Sequence, residues 1–425
     1  MKIGEIKPGK VEIQGWIENL RDKKNMQFVV IRDLSGKVQV TVVKSEKPEI
    51  AEIFSHATLE STVKITGEAV ANEFVKLGGI EIVPETVELT SHAEPFPIGP
   101  ESSIDQRLDY RWIDLRNPRN QLIFQFQSFL VNAMREYLIK NDFIEIHTPK
   151  FIGSASESGA EVFEVKYFDR KAYLAQSPQF YKQMAIVGGL ERVFEIAPCF
   201  RAEKSHTKKH ATEFTSFDVE FSYINSFQDV MNLEAEMIAY GLEKTKEKYG
   251  EKVKEVFGVE INVPKLPFPQ MRLADIYAEL KTRYGYDVPE EEKTDLTTEA
   301  EKLCERLAHD KFGHEFLFVT DYPPQKRAFY HMRKNGILQG YDLIWKGIEI
   351  TSGAQREHRY EELKKNCEEK GLGKDVAFYL QFFKNGVPPH GGFAIGVDRL
   401  TMLLLGLPSL KEAQFLFRGP DRLTP

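Results

Sequence analysis

The chain has 425 residues, 42% of them hydrophobic and 28% charged, with a net charge of −7 at neutral pH. That length supports a large core and two domains. The acidic balance excludes an indiscriminate nucleic-acid binder unless positive charge is gathered locally, as it is over residues 21–47, where seven Lys/Arg stand against three Asp/Glu. Cys199, Cys304 and Cys367 lie far apart without a Cys-x-x-Cys pair, which indicates neither a zinc site nor a disulfide framework. The opening MKIGEIKPGKVEIQ has no apolar leader core, and the most apolar late segment is broken by Asp398 and Arg399. A cytoplasmic protein without a membrane span is expected.

From Val11 to Leu89 the chain reads as five short alternating strands, VEIQGWI, MQFVVIRD, KVQVTVV, STVKITGEAV and IEIVPETVEL, punctuated by Gly, Asn and Asp. The pattern predicts a small closed barrel of the oligonucleotide-binding type over residues 1–92. On its open face Phe28 would stack on an unpaired base and Gln39 would read a base edge; the plain alternative for Phe28 is a core position. Residues 93–119, rich in Pro, Ser and charge, predict a hinge. A second domain, 120–425, begins with helical apolar spacing over Gln121–Asn141 (Leu122, Phe126, Phe129, Leu130, Ala133, Met134, Tyr137, Leu138), followed by a strand FIEIHTP. Asp142, between them, is a residue that tolerates a left-handed turn.

Small residues around Glu157 predict a loop. Further on, FRAEKSHTKKHATEFTSFDVE reads as an antiparallel hairpin, with Arg201 and Glu203 at strand positions and a loop carrying Lys204, His206, Lys208, Lys209 and His210. So many cations near one arginine repel one another, and a polyphosphate such as ATP would relieve them; a solvated hairpin tip is the alternative. Glu/Lys-rich stretches between Phe221 and His314 predict helices on the outside of the fold. In YDLIWKGIEITSGAQREHRY, Glu349 and Ser352 supply a carboxylate and a hydroxyl suited to Mg²⁺ bridging phosphates. There is no GxxxxGK[ST] loop and no dinucleotide GxGxxG fingerprint, so ATP needs another cradle.

FRAE with TKKHATEF resembles motif 2 of the class II aminoacyl-tRNA synthetases. The helix, strand and proline ending at Pro149 resemble motif 1, and GVPPHGGFAIGVDRLTMLLLGL resembles motif 3. RDKKNMQFVVIRDLSGKVQV and RLDYRWIDLRNP are similar to the aspartyl, asparaginyl and lysyl group of that family, and QSPQFYKQ resembles the aspartate-selecting motif of its aspartyl branch. The resemblance implies an α+β catalytic domain, an antiparallel sheet flanked by helices, behind an OB-fold anticodon-binding barrel. It also implies ATP and Mg²⁺ as cofactors, L-aspartate and tRNA(Asp) as substrates, and a homodimer through motif 1. Arg201 would hold the α-phosphate, Glu203 the adenine, His210 the γ-phosphate, Glu349 and Ser352 the metal, and Arg399 would lie over the adenine ring. Glu157, Ser177, Gln179, Lys182, Asp218 and Arg356 would bind aspartate, with Arg356 forking onto the side-chain carboxylate. Arg21, Phe28, Gln39 and Glu18 would meet the anticodon.

Departures are Lys209 where the family has arginine, Ala328 and His331 in AFYHM, and Ala394 where glycine is common. An asparaginyl-tRNA synthetase and an ATP-dependent asparagine synthetase-like paralogue are the alternatives. Strict charging of tRNA(Asp) and relaxed charging that includes tRNA(Asn) both stay open. Glu18 and the loop KLGG at Lys76–Gly79 pull in opposite directions, and the reading inclines to the relaxed form.

Overall fold

The computed structural model describes residues 1–156, 161–372 and 376–425; Glu157 lies outside them. The chain divides into two compact units, Met1–Ser102 and Ser103–Pro425.

In the first unit, strands β1 (Gly9–Asp22), β2 (Met26–Arg32), β3 (Lys37–Val43), β4 (Thr62–Ala71) and β5 (Ile80–Ser91) close a barrel in the order β1-β2-β3-β5-β4. Alternation along each strand sends Ile13, Ile17, Val29, Ile31, Val40, Ile65 and Ile82 inward to a common core. A helix between β3 and β4, α1 (Pro48–His56), covers one end with Ile50, Ala51 and Phe54. It was not legible as a separate element, because its nine residues carry too few turns to show a period.

The second unit opens with α2 (Ile104–Asp109) and α3 (Arg111–Asp114), so residues 103–119 of the expected hinge fold with it. Arg111 is 2% exposed and holds Asp114 and the carbonyls of Phe415 and Gln414. There follow α4 (Pro118–Lys140), β6 (Ile144–Glu145), β7 (Phe151–Ile152), β8 (Glu164–Tyr167), β9 (Arg170–Leu174), α5 (Gln179–Val187), β10 (Arg192–Phe200) and β11 (Glu213–Ser222). Next are α6 (Phe227–Phe257), β12 (Gln270–Arg272), α7 (Leu273–Tyr284), α8 (Thr298–Phe312), β13 (Phe316–Thr320), β14 (Arg333–Lys334) and β15 (Ile337–Leu338). The unit ends with β16 (Gly340–Trp345), β17 (Ile348–Gln355), α9 (Tyr360–Glu369), α10 (Ala377–Phe382), β18 (His390–Gly396), α11 (Val397–Leu404) and α12 (Leu410–Ala413).

Its main sheet has eight strands in the order β12-β13-β16-β17-β18-β11-β10-β6. The six central strands are antiparallel as expected, whereas the edge pairs β12-β13 and β10-β6 are parallel. α4 and α6 bury their apolar stripes on one face, α4 through Leu122, Ile123, Phe126, Leu130, Ala133, Met134 and Leu138. All but Ile123 are positions of the apolar stripe read from the sequence; they belong to the chain's own core, so a homodimer through motif 1 would have to use other residues of that helix. The strand expected over FIEIHTP shrinks to two residues, and Asp142 before it has φ 64°, the left-handed turn anticipated there. Cys199, Cys304 and Cys367 are buried and free. No helix among the described residues is long and apolar enough to cross a membrane.

Candidate functional site

Three neighbouring strands, β11, β18 and β17, set the register of the site: Asp218 and Ser352 both lie opposite Ala394, while Glu220 and Ala354 both lie opposite Gly392. A side chain at Gly392 would stand 2.0 Å from the Val219 carbonyl oxygen and 2.4 Å from Glu220 Oε2, so only glycine lets the strands close here. One cavity opens on this face. Arg201, Glu203, His210, Glu349, Ser352 and Arg399 all line it, together with Lys209, Phe214, Ser216 and Ala394.

The hairpin β10–β11 delivers the first three, although its strands are shorter than the alternation suggested. β10 stops at Phe200, so Arg201 and Glu203 stand just beyond the ladder, where one further bond from Arg201 N to the Thr212 carbonyl continues it. Arg201 lies over the Phe214 ring at 5.3 Å, and its buried Nε has no hydrogen-bond partner among the described residues. An anion would satisfy it. The loop charges are partly paired: Lys209 bonds Glu301 at 2.9 Å, His206 approaches Asp421 at 3.4 Å, and Thr207 bonds His210 Nδ1. Burial, then Arg399, pushes the His210 imidazole below its usual pKa despite Glu203. Lys209, the residue that departs from the family arginine, is thus committed to an acid that the sequence reading did not name.

Arg399 enters on the first turn of α11 and donates to the Glu349 carbonyl at 2.7 Å. Its neighbour Asp398 pins that turn to β11 by accepting from Thr215 N at 3.1 Å and from Gln414 at 2.9 Å. Glu349 is pushed up to about 8, first by burial and then by the nearby Asp342. Asp342 in turn accepts from Ser352 Oγ at 2.8 Å and from Arg327 at 2.9 and 2.6 Å. Two crowded carboxylates and a hydroxyl fit a divalent cation that takes its remaining oxygens from phosphates, since Mg²⁺ keeps few protein ligands. Among the described residues no group of three or more His, Cys, Asp or Glu forms a cage of its own.

Ser216, at the cavity wall, donates to Asp218 Oδ2 at 2.6 Å, and there a second, fully buried charge cluster begins. Lys182 on α5 lies 3.1 Å from Asp218 and 3.3 Å from Glu220. Arg356, just past β17, forks onto Glu220 through Nε at 3.0 Å and Nη2 at 3.3 Å, donates to the Gly392 carbonyl at 3.0 Å and faces the Tyr330 ring at 5.5 Å. Both cations are therefore already paired, where the sequence reading treated them as waiting for substrate. Glu220 and Asp342 are the acids that reading missed; the arginine that pairs Glu220 lies 136 residues away, beyond any local pattern, whereas Asp342 stands only 10 residues from Ser352, within one stretch of sequence. Ser177 precedes α5 with its Oγ 3.3 Å from Gln179 N, and Gln179, buried, opens the helix. His331, one of the departures, is buried and paired through the backbone with Arg356. Burial first, then the cations Arg356, Arg327 and Lys182, hold its imidazole well below its usual pKa.

In the barrel, Arg21 is opposite Phe28, with its guanidinium 5.6 Å from the ring; Phe28 is half-buried rather than a core residue. Gln39 donates to Thr41 at 3.1 Å and to Glu81 at 3.3 Å, and Glu81 also accepts from Asn72 at 2.7 Å. Glu18 is held by Lys37 at 2.5 Å and Arg32 at 3.4 Å.

A family model described as tRNA synthetases class II (D, K and N) matches residues 103–418, and one described as an OB-fold nucleic acid binding domain matches residues 11–90. The chain is 41% identical to the aspartate–tRNA(Asp/Asn) ligase of Aeropyrum pernix, covering 98% of this chain and 96% of that one. It is 40% identical to the aspartate–tRNA(Asp) ligase of Pyrococcus abyssi, over 99% and 97%. The crystal structure of asparaginyl-tRNA synthetase from Pyrococcus horikoshii complexed with asparaginyl-adenylate superposes with a TM-score of 0.90 at 32% identity, covering 100% of this chain and 99% of that one.

Proposed function

The chain belongs to the class II tRNA synthetases of the D, K and N group, and from that premise we infer that it activates L-aspartate with ATP and transfers it to tRNA. Relatives spanning nearly the whole chain and named as aspartate–tRNA ligases support aspartate as the amino acid. The observation that carries the reading is that the six side chains assigned to ATP line one cavity, while Lys182 and Arg356 lie beside it through Ser216, Asp218 and Glu220.

In this reading the aspartate α-carboxylate attacks the α-phosphorus in line, the α–β phosphoanhydride bond breaks and pyrophosphate leaves. A ribose hydroxyl of the terminal tRNA adenosine then attacks the acyl carbon, and AMP leaves. Arg201 and Arg399 stabilise negative charge at phosphorus, and no side-chain nucleophile is needed. Glu203 meets the adenine and His210 the γ-phosphate. Glu349 and Ser352, with Asp342 behind them, would hold Mg²⁺, whose charge would offset that of the phosphates. Arg356 and Lys182 address the aspartate side chain, while Ser177 and Gln179 address its backbone. The barrel grips the anticodon through Arg21, Phe28 and Gln39, with Glu18 near its third base. The active form is a cytoplasmic homodimer, and both tRNA(Asp) and tRNA(Asn) are acceptors. Aspartate-dependent exchange of pyrophosphate into ATP tests the reading, and no exchange with purified protein and Mg²⁺ would refute it.

A further inference from the structure

Behind the amino-acid end of the site, His390, Gln183 and Tyr379 form a buried chain of side chains to which the reading above gives no work. His390, at the start of β18, is fully buried, and its Nδ1 lies 2.9 Å from the Pro388 carbonyl oxygen, which can only accept. Nδ1 therefore carries a proton. Burial, helped by Arg356 and His358 against the pull of Glu220, keeps the ring neutral, which leaves Nε2 as an acceptor. Gln183 reaches that nitrogen at 2.8 Å, so it must turn its NH₂ to His390 and its oxygen away. That oxygen accepts from Tyr379 Oη at 2.9 Å and from Gln179 Nε2 at 2.8 Å. With its nitrogen engaged at Gln183, the Gln179 amide presents its oxygen on the other side. Gln179 stands on α5 one turn before Lys182, the cation assigned to the substrate.

We propose that His390 is a positioning residue for amino-acid binding. Acting through Gln183, its Nδ1-protonated ring fixes the flip of the Gln179 amide, so that a carbonyl oxygen and not an NH₂ is offered to the substrate's α-ammonium. The proposal rests on the reading of this site as aspartate-activating. The opposite tautomer shows why the relay matters. An N–H at Nε2 would draw the Gln183 oxygen towards it and leave the Tyr379 hydroxyl and the Gln179 NH₂ without their acceptor. A flipped Gln179 would then point N–H groups at a cation.

The test is pyrophosphate exchange by the full chain, with succinate, which is aspartate without its amino group, as a competitor. Gln183→Met keeps length but not hydrogen bonds. It should raise the aspartate KM about tenfold, the order expected when a hydrogen bond to a charged group is lost, and leave the ATP KM and the succinate inhibition constant within about twofold. His390→Phe keeps the ring and should repeat that loss. His390→Gln, which restores an acceptor oxygen, should recover most of it. Equal weakening of aspartate and succinate would overturn the proposal. So would a wild-type aspartate KM in His390→Phe, or a His390→Gln as impaired as His390→Phe. If the unaltered chain shows no aspartate-dependent exchange, it is the reading of the site that fails.

Discussion

Arg356 and Glu220 meet as a buried fork, Nε to Oε1 at 3.0 Å and Nη2 to Oε2 at 3.3 Å, with side chains 4% and 0% exposed. Burial would raise the Glu220 carboxyl, but Arg356 and then Lys182 hold it below its usual 4.5. A depressed acid stabilises the fold above the unfolded pKa and loses that contribution as pH falls through the folded one. The wild type should therefore lose stability on acidification below pH 4.5 with a slope that Glu220→Gln lacks. At pH 7 the same substitution should cost about 3–5 kcal/mol, because Arg356 loses its countercharge. Urea denaturation at several pH values measures both.

Selection of aspartate over asparagine should persist but be moderate. Lys182 and Arg356 keep Asp218 and Glu220 as partners whichever amino acid binds, so an amide does not strand bare cations. The expected preference is about 1.5–3 kcal/mol, the worth of a hydrogen bond to a charged group. Arg356→Lys should lower aspartate-dependent exchange by about a hundredfold while sparing the ATP KM, since one ammonium cannot replace a planar fork. Equal exchange rates with the two amino acids would contradict the assignment.

Glu234 on α6 is fully buried, accepts from Tyr341 Oη at 2.6 Å and is pushed up to about 8 by burial. Here the sign is reversed. The folded state holds a proton that the unfolded chain releases near 4.5, so stability falls as pH rises from there through about 8. Glu234→Gln mimics the protonated acid and should flatten that slope, gaining on the order of a few kcal/mol relative to wild type at pH 8.5 and little at pH 5. Thermal midpoints of the two proteins across that range decide it.

A chain of residues 103–425 should form aspartyl-adenylate yet charge tRNA poorly, because the ATP cavity and the Phe28 face lie in different units. Starting instead at Arg116 removes Arg111, whose guanidinium ties α3 to the Phe415 and Gln414 carbonyls, and should give an unstable protein. Within the full chain, Phe28→Ala should cost about 1–3 kcal/mol in tRNA charging and leave pyrophosphate exchange unchanged. Full charging by the shorter chain would give the barrel some other task.

Much of this site could be read from the sequence because motif residues sit close together: Arg201, Glu203 and His210 fall within one hairpin, and Glu349 and Ser352 on one strand. What stayed hidden are partners fixed by tertiary contact. Glu220 was in plain view at the end of the hairpin, but the arginine that gives it meaning lies 136 residues on. Gln183 and His390 meet across 207 residues. The apolar stripe of α4 was legible as a helix face; that it faces α6 was not, because periodicity tells which side is buried and not against what.

The last expectation concerns which tRNA is charged. The anticodons for aspartate and asparagine differ only at the third base, a cytosine with an amino group against a uracil with a carbonyl. A free carboxylate near that base would favour cytosine, whose amino group it can accept from, over uracil, which offers only an oxygen there. Glu18 is the residue at issue, but its Oε1 lies 2.5 Å from Lys37 and its Oε2 3.4 Å from Arg32. Arg32 is itself 2.5 Å from Glu60, so the whole group is an ion-pair cluster on the barrel rather than a lone acceptor. Drawing Glu18 towards a base would mean breaking contacts with two cations for one hydrogen bond. Both transcripts should therefore be charged, with kcat/KM values less than about a hundredfold apart, or 2.7 kcal/mol. Glu18→Ala should change the two by the same factor. A preference for tRNA(Asp) beyond a hundredfold that collapses in Glu18→Ala would mean that this carboxylate leaves its cluster to read the base.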